Sequence, residues 1–297
     1  MPVLTIFTPA YNRAHTLPRT YESLRNQTCK DFIWLVVDDG SADNTRELVS
    51  AWMATEKDFV IQYIYKENGG MHTAHNTAYE NIHTELNTCI DSDDMMPSNA
   101  VELILRKWKE VKHKGYAGII GLDSDLEGNI IGKGFPAGLL ETTLCGYYAS
   151  GGQGDKKLVY RTDVINQYPP YPVFEGEKYV ALGYKYRLID QDYKLAVLDE
   201  VLVNVDYQPD GSSATMFKQY MKYPQGFAFW RKVCMQYPES IRRIPIDCMH
   251  YVSSSLISGN KHYIKESPRK AMTVLMIPAG YLLTWYIEMK TGIKAKV

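Results

Sequence analysis

Phe32–Asp38 reads FIWLVVD, six apolar residues in a row and then an acid. A run without polar alternation suits a strand covered on both faces, the situation of a parallel sheet flanked by helices. Its neighbours fit that setting. Val3–Thr8 reads as a strand, and Thr16–Gln27 as a helix with Pro18 in its first turn and Leu17, Tyr21 and Leu24 on one face. Asp43–Thr55 reads as a second helix, Val60–Tyr65 as a third strand, and a further helix follows Gly69-Gly70 before a short strand ending at Ile90. Ser98–His113 is the clearest helix, with Ser98 as cap, Glu102 near its positive end and a stripe of Val101, Ile104, Leu105 and Trp108. Strand and helix in alternation imply right-handed crossovers and a mainly parallel sheet, an α/β fold.

Beyond Tyr116 the pattern loosens. Tyr116–Leu122 and Leu195–Val205 read as strands, separated by loops rich in Gly and Pro. From Ser213 the reading is helical: Met216–Gln236, Ile246–Ser258 and Ala271–Ile287. The turn at Pro209-Asp210-Gly211 suggests a soft boundary near Asp210, dividing the 297 residues into a domain over 1–210 and a helical C-terminal extension over 211–297. Lys plus Arg (33) nearly cancels Asp plus Glu (34), so no nucleic-acid partner is expected. Five scattered cysteines, Cys29, Cys89, Cys145, Cys234 and Cys248, favour reduced thiols in a cytoplasmic chain. The N-terminus lacks the basic start and long apolar core of a secretory signal.

Ligands of open parallel sheets bind beyond the carboxyl ends of the strands, and polar residues collect there. The ends read Thr8-Pro9-Ala10-Tyr11-Asn12-Arg13, Asp38-Asp39-Gly40-Ser41, Lys66-Glu67-Asn68-Gly69-Gly70 and Asp91-Ser92-Asp93-Asp94. Each also has a plain reading. Asp38 or Asp39 could cap the next helix, Tyr11 could be packing, and Gly69-Gly70 could be a tight connection or a pair of bare amides for a phosphate. Asp91-x-Asp93 is the sharpest signal. Two carboxylates at a buried strand end resist joint ionisation unless a divalent cation joins them, and Mg²⁺ or Mn²⁺ needs only one or two carboxylates beside water and phosphate oxygens.

In order and spacing, Thr8-Pro9-Ala10-Tyr11-Asn12, Asp38-Asp39-Gly40-Ser41, Asn68-x-Gly70-x-x-x-Ala74-x-Asn76 and Asp91-Ser92-Asp93-Asp94 resemble the nucleotide-binding half of family 2 inverting glycosyltransferases of bacterial polysaccharide type. The resemblance is strong over the first third and extends more weakly to about Gln208. It implies the GT-A fold, Rossmann-like, and donor-site residues Pro9, Tyr11, Asp39, Asn68, Gly70, Asp91, Ser92 and Asp93. Tyr11 would lie against the base, Asp39 would accept from a uracil-like ring NH, and Asp91 would sit near ribose and diphosphate. Asp93, with Asp91, would hold Mn²⁺ or Mg²⁺. The implied reaction moves a hexosyl or N-acetylhexosaminyl group from a nucleotide-diphosphate sugar, a UDP-sugar first, to a hydroxyl of a glycan or lipid-linked glycan. A degenerate nucleotide- or membrane-binding module is the rival reading. A sugar nucleotidyltransferase would carry a Gly-rich basic loop where Tyr11-Asn12 stands.

The acceptor hydroxyl needs a base, usually an acidic pair opening a helix after the sheet in this family. Counted back from Tyr193-Lys194-Leu195 that pair would fall near Ala181-Leu182, which cannot take a proton. Glu177 is therefore the first candidate and Glu175 the second, with Asp190 and Asp192 behind them. The loop Gly154-Asp155-Lys156 is a weaker candidate for shaping the sugar pocket. Near the C-terminus, Ala271–Ile287 has no charged residue, while residues 259–297 hold seven Lys or Arg against two Glu, locally +5. A packed core helix, a helix in the membrane interface and a short re-entrant hairpin are all compatible, and the basic flanks with Trp285 and Tyr286 favour the interface. The expected place of work is the cytoplasmic side, peripheral at the inner face of the plasma membrane.

Overall fold

The computed structural model describes residues 2–206 and 215–295. The chain forms two compact units, one of Met1–Pro170 with Leu188–Tyr207, the other of Tyr171–Arg187 with Gln208–Val297. Tyr171–Arg187 thus packs with the C-terminal helices, and the boundary expected near Asp210 lies outside the described residues.

The elements run β1 (Leu4–Ala10), α1 (Leu17–Arg25), β2 (Phe32–Asp38), α2 (Thr45–Thr55), β3 (Val60–Tyr65), α3 (Met71–Asn81), β4 (Leu86–Cys89) and α4 (Ala100–Val111). There follow β5 (Gly118–Ser124), β6 (Glu141–Thr142), α5 (Leu144–Ala149), β7 (Lys156–Arg161), α6 (Thr162–Ile165), α7 (Gly183–Ile189) and β8 (Leu195–Asn204). The remainder is helical: α8 (Met216–Lys222), α9 (Pro224–Gln236), α10 (Ile244–Ser258), α11 (Tyr263–Glu266), α12 (Lys270–Leu275) and α13 (Ile277–Thr291).

The strands form one open sheet in the order β3-β2-β1-β4-β7-β5-β8-β6. β1 pairs in parallel with β2 and β4, and β2 with β3, so the first four carboxyl ends share one edge. β2 is buried nearly throughout, as its apolar run requires. Trp34 and Phe32 of β2 pack against Tyr21, Trp52 and Phe59, and the Trp34 indole nitrogen donates to Thr8 Oγ1 at 3.0 Å, so that deeply buried ring keeps a partner. β7 was not anticipated. It lies antiparallel between β4 and β5, which makes the second half of the sheet mixed and places the start of β7 where β4 and β5 end.

Several helix boundaries differ from expectation for local reasons. Asn99, not Ser98, holds the cap position of α4 and makes no side-chain cap bond; the Val101 N–H donates instead to Gln27 Oε1 at 3.1 Å. The expected helix Met216–Gln236 is two, broken at Tyr223 before Pro224, which cannot donate to the preceding turn. The same logic opens α13. Pro278 stands in its first turn rather than interrupting it, and the break falls at Met276.

Burial pushes His72 in unit one and His250 in unit two down to about 4. The unfolded chain, with histidines near 6.5, therefore takes up these protons first as pH falls, and the folded state loses by comparison. The contribution of these two histidines to stability is expected to be level above about pH 6.5 and to fall from there toward about pH 4, by roughly 2–4 kcal/mol each, while Asp94 and Asp123, raised by burial, work in the opposite direction over the same range. Urea midpoints of the wild-type chain and of His72→Leu, each at pH 7.5 and 5, isolate the part that belongs to His72, since the variant should lose less stability, or gain more, than the wild type between the two.

Candidate active site

The β1 and β2 ends are zipped together by their loops. The Asn12 N–H donates to Ser41 Oγ at 2.8 Å, and Asn12 Oδ1 accepts from the Ala42 N–H at 2.8 Å. Asn12 takes a left-handed conformation, φ 55°, which asparagine tolerates better than most residues. Pro9 is buried within β1, and Tyr11 emerges just past it with half its surface exposed. Asp38 is spent on structure: its carboxylate accepts from the Ser41 N–H at 2.8 Å and from the Tyr63 hydroxyl at 2.5 Å. That bond, with burial as the larger cause, pushes the Tyr63 phenol up to about 12.

Asp39 organises the β3 exit. Its carboxylate accepts from Lys66 Nζ at 2.5 Å, from the Gly69 N–H at 3.0 Å and from the Gly70 N–H at 2.8 Å, while Asn68 Nδ2 donates to its backbone carbonyl at 2.7 Å. The amides considered for a phosphate are therefore given to Asp39 at the start of α3. A carboxylate has about four lone-pair sites, so three acceptances leave room for one more donor. Gly40 makes this closeness possible. With φ +82° and a Cβ position 2.7 Å from the Asn68 nitrogen, it excludes any side chain.

At the end of β4 the balance is different. The Asp94 N–H donates to the Asp91 carbonyl at 3.1 Å, closing a turn that leaves Asp91 exposed, Ser92 and Asp94 buried and Asp93 half-buried. Burial, and then the charge of Asp91, raise the Asp93 carboxyl above the usual range. The same two causes push Asp94 up to about 7. Asp94 Oδ1 accepts from the Asp206 N–H at 3.1 Å.

The sheet adds two residues that the sequence reading missed. Asp123, near the end of β5, is buried with Oδ1 unpartnered, and burial pushes it up to about 6. Lys157, at the start of β7, donates to the Cys89 carbonyl at 2.8 Å. Burial works against its charge, but Asp123, Asp91 and Asp94 more than compensate and hold it above the ordinary lysine value. Asp123 lies one residue beyond the strand expected to end at Leu122, the same acid-after-strand signal that marks Asp91. Lys157 had no such signal, because the strand that carries it was not foreseen.

The donor set suits a hard divalent cation. Asp91 and Asp93 are carboxylates whose mutual repulsion a cation would relieve. Among the described residues no three His, Cys, Asp or Glu side chains are grouped to hold an ion alone, and an ion at this pair would take further oxygens from a ligand or water.

Of the candidates for the base, Glu175 and Glu177 lie in unit two and Asp190 and Asp192 in unit one. Both Glu177 oxygens accept backbone amides at the start of α9, from Gln225 at 2.9 Å and Gly226 at 2.8 Å, and the side chain is buried. Glu177 thus serves as a remote cap of that helix. Glu175 is exposed and makes no side-chain hydrogen bond among the described residues. Asp190 accepts from the Leu144 and Cys145 amides, and Asp192 from the Tyr168 hydroxyl at 2.7 Å.

The architecture has solved counterparts. S. aureus TarS 1-349 in complex with UDP-GlcNAc aligns over 98% of this chain and 92% of its own, with a TM-score of 0.60 and 14% identity. The mannosyltransferase PcManGT from Pyrobaculum calidifontis, in complex with GDP-Man and Mn2+, aligns over 96% and 87%, with a TM-score of 0.56 and 15% identity. The fold is GT-A, an open α/β sheet flanked by helices. Residues 5–149, just under half of the chain, match the family model described as Glycosyl transferase family 2. Chondroitin synthase of Escherichia coli is 31% identical over 135 residues, 46% of this chain and 19% of its own length. The chain spans about a fifth of that relative.

Gly40→Ala should strain the turn at φ +82° and push Asn68 outward. The left-handed conformation alone costs an alanine on the order of 1–2 kcal/mol. A lowered melting temperature is the expected result, and an unchanged one would show that the β2–β3 exit is slack.

Proposed function

We propose that this chain transfers a sugar from a nucleotide-diphosphate donor, a UDP-sugar in the first instance, to a hydroxyl of a glycan or lipid-linked glycan, with inversion. The reading is carried by one observation: a carboxylate pair, exposed Asp91 and half-buried Asp93, at the shared edge where four parallel strands discharge their polar ends. The match of residues 5–149 to the Glycosyl transferase family 2 model supports it. So do the nucleotide-sugars bound to the two solved counterparts, one of which also holds Mn2+.

In this reading Tyr11, exposed beside the crevice, stacks on the base, and Asp39 offers its remaining acceptor site to a ring NH. Pro9, Asn68, Gly70 and Ser92 shape the nucleotide site around them. Asp93 and Asp91 hold Mn²⁺ or Mg²⁺, which when bound would stabilise charge on the departing diphosphate. The acceptor oxygen attacks the anomeric carbon opposite the diphosphate, the bond to the diphosphate breaks, and a carboxylate takes the hydroxyl proton. Of the two glutamates, Glu175 has oxygens available for that proton, whereas those of Glu177 accept amides of α9. Lys157 keeps a positive charge beside the acids and would steady the phosphate end. The sugar is a hexose or N-acetylhexosamine. The chain works on the cytoplasmic side, in peripheral contact with the inner face of the plasma membrane.

A panel of nucleotide sugars with Mn²⁺, scored by donor hydrolysis, tests the reading without knowledge of the acceptor. Asp93→Ala should abolish turnover and leave the circular dichroism spectrum unchanged; full turnover in that variant would sink the proposal. Glu175→Gln should lower transfer to the acceptor by roughly 10²–10⁴-fold, the usual worth of a positioned base, with little effect on stability. Glu177→Gln should do the reverse, lowering the melting temperature through loss of a charged cap. Nucleotide binding with no turnover of any donor would favour a non-catalytic binding module.

A further inference from the structure

α13 is built inside out. Its buried positions are Gly280, Thr284 and Ile287, while Tyr281, Leu282, Trp285, Tyr286 and Met289 face outward. Leu282 is 67% exposed, Trp285 55%, and Leu275 at the end of α12 69%. In water a helix hides its bulky apolar residues and shows its polar ones. The inward contact is made from a small group, Gly280, and a hydroxyl, Thr284, with Ile287 as the one bulky apolar residue among the buried positions. Thr284 Oγ1 shares a 3.0 Å hydrogen bond with Ser253 Oγ, and a Cβ at Gly280 would lie 2.4 Å from Val252, so α13 and α10 approach as only a glycine allows. Small residues between helices and large apolar ones outside are the packing used where the surroundings are lipid.

α13 does not span. Its 15 residues extend about 22 Å at about 1.5 Å each, against a hydrocarbon core of about 30 Å. No described helix is long and apolar enough to cross a membrane. Cations mark both ends of the apolar face. Lys265, Arg269 and Lys270 precede it and Lys290 and Lys294 follow, all exposed, while the Glu288 carboxylate is engaged by the Ala295 N–H and Lys294. The Lys290 ammonium sits 5.7 Å from the Tyr286 ring centroid, so an aromatic and a cation share one edge of the face.

We propose that α12 and α13 lie in the plane of an anionic phospholipid surface, with Leu275, Leu282, Trp285 and Met289 inserted among the acyl chains and the flanking lysines on the headgroups. This deepens the membrane-contact reading above by assigning the face and the lipid charge, and it does not depend on the transfer chemistry. A second copy of the chain is a poorer occupant. Any two-fold pairing of this face sets its basic ends against one another, like charge on like charge.

Flotation of the full chain with phosphatidylcholine vesicles, with and without one third phosphatidylglycerol, tests the assignment. The chain should float with the anionic vesicles and hardly at all with the neutral ones, and raised salt should weaken binding. L282E with W285E should cut the bound fraction at least tenfold, and Lys270→Gln with Lys290→Gln should remove the preference for phosphatidylglycerol. Neither variant should alter donor hydrolysis in vesicle-free solution. Failure of the full chain to float with either vesicle, or undiminished floating of L282E/W285E, overturns the inference. So does a sedimentation-detected dimer that L282E dissociates in the absence of vesicle binding. Floating without donor hydrolysis would count against the transferase reading alone, and hydrolysis without floating against this one alone.

Discussion

Parallel register is the constraint from which the rest of unit one follows. Ala10 sits beside Asp38, and Asp38 beside Tyr65, while Phe7 pairs with Cys89 on the other side of β1. Strands aligned in this way deliver all their exits to one edge, and the loops leaving a doubly covered sheet must be polar there because everything behind them is apolar. The antiparallel β7 reinforces the arrangement, since its first residues meet the last residues of β4 and β5. Tyr11, Asp39, Asp91, Asp123 and Lys157, spread over almost 150 positions of the chain, are gathered at that edge by topology.

The acids gathered there divide by how they are paired. Asp38 and Asp39 have donors for their oxygens: two for Asp38, three for Asp39. They hold the loops in shape. Asp93, Asp94 and Asp123 are raised by burial, and one Asp123 oxygen has no partner. Carboxylates left short of donors in a protein otherwise well satisfied are a reserve of unfavourable energy, which a cation or a set of ligand donors would discharge. The contrast separates the acids that hold the loops from those that could take a further donor or a cation.

Unit two shows the converse of a soluble core. Its α9–α10 contact is conventional, with Ala228, Met235, Cys248 and Tyr251 buried together. On the other side of α10 the packing shifts to Gly280, Thr284 and Ser253, and the apolar bulk turns outward. One helix thus has a partner chosen for closeness, and its other face is left with residues that water does not favour.

Much of the first hundred residues was legible in the amino-acid order. β2 and β3 fall at their expected limits, and the acids that end strands follow apolar runs, a signal that local sequence carries because burial on both faces forbids alternation. The same signal read one residue further would have found Asp123. What the order of residues did not contain was pairing. β7, with Lys157, joins the sheet only because β4 and β5 leave a gap that an antiparallel strand fills, and the Glu177 carboxylate becomes a helix cap only because the chain returns 48 residues later to offer the amides of Gln225 and Gly226. The apolar length and basic flanks of the C-terminal segment could be read directly, yet which of its residues face outward was decided by Gly280 and Thr284 docking on α10. Local sequence determines where apolar surface arises, because side-chain chemistry and period are local. Which groups end up satisfied, exposed or short of a partner depends on contacts between distant segments, and those exist only in the folded chain.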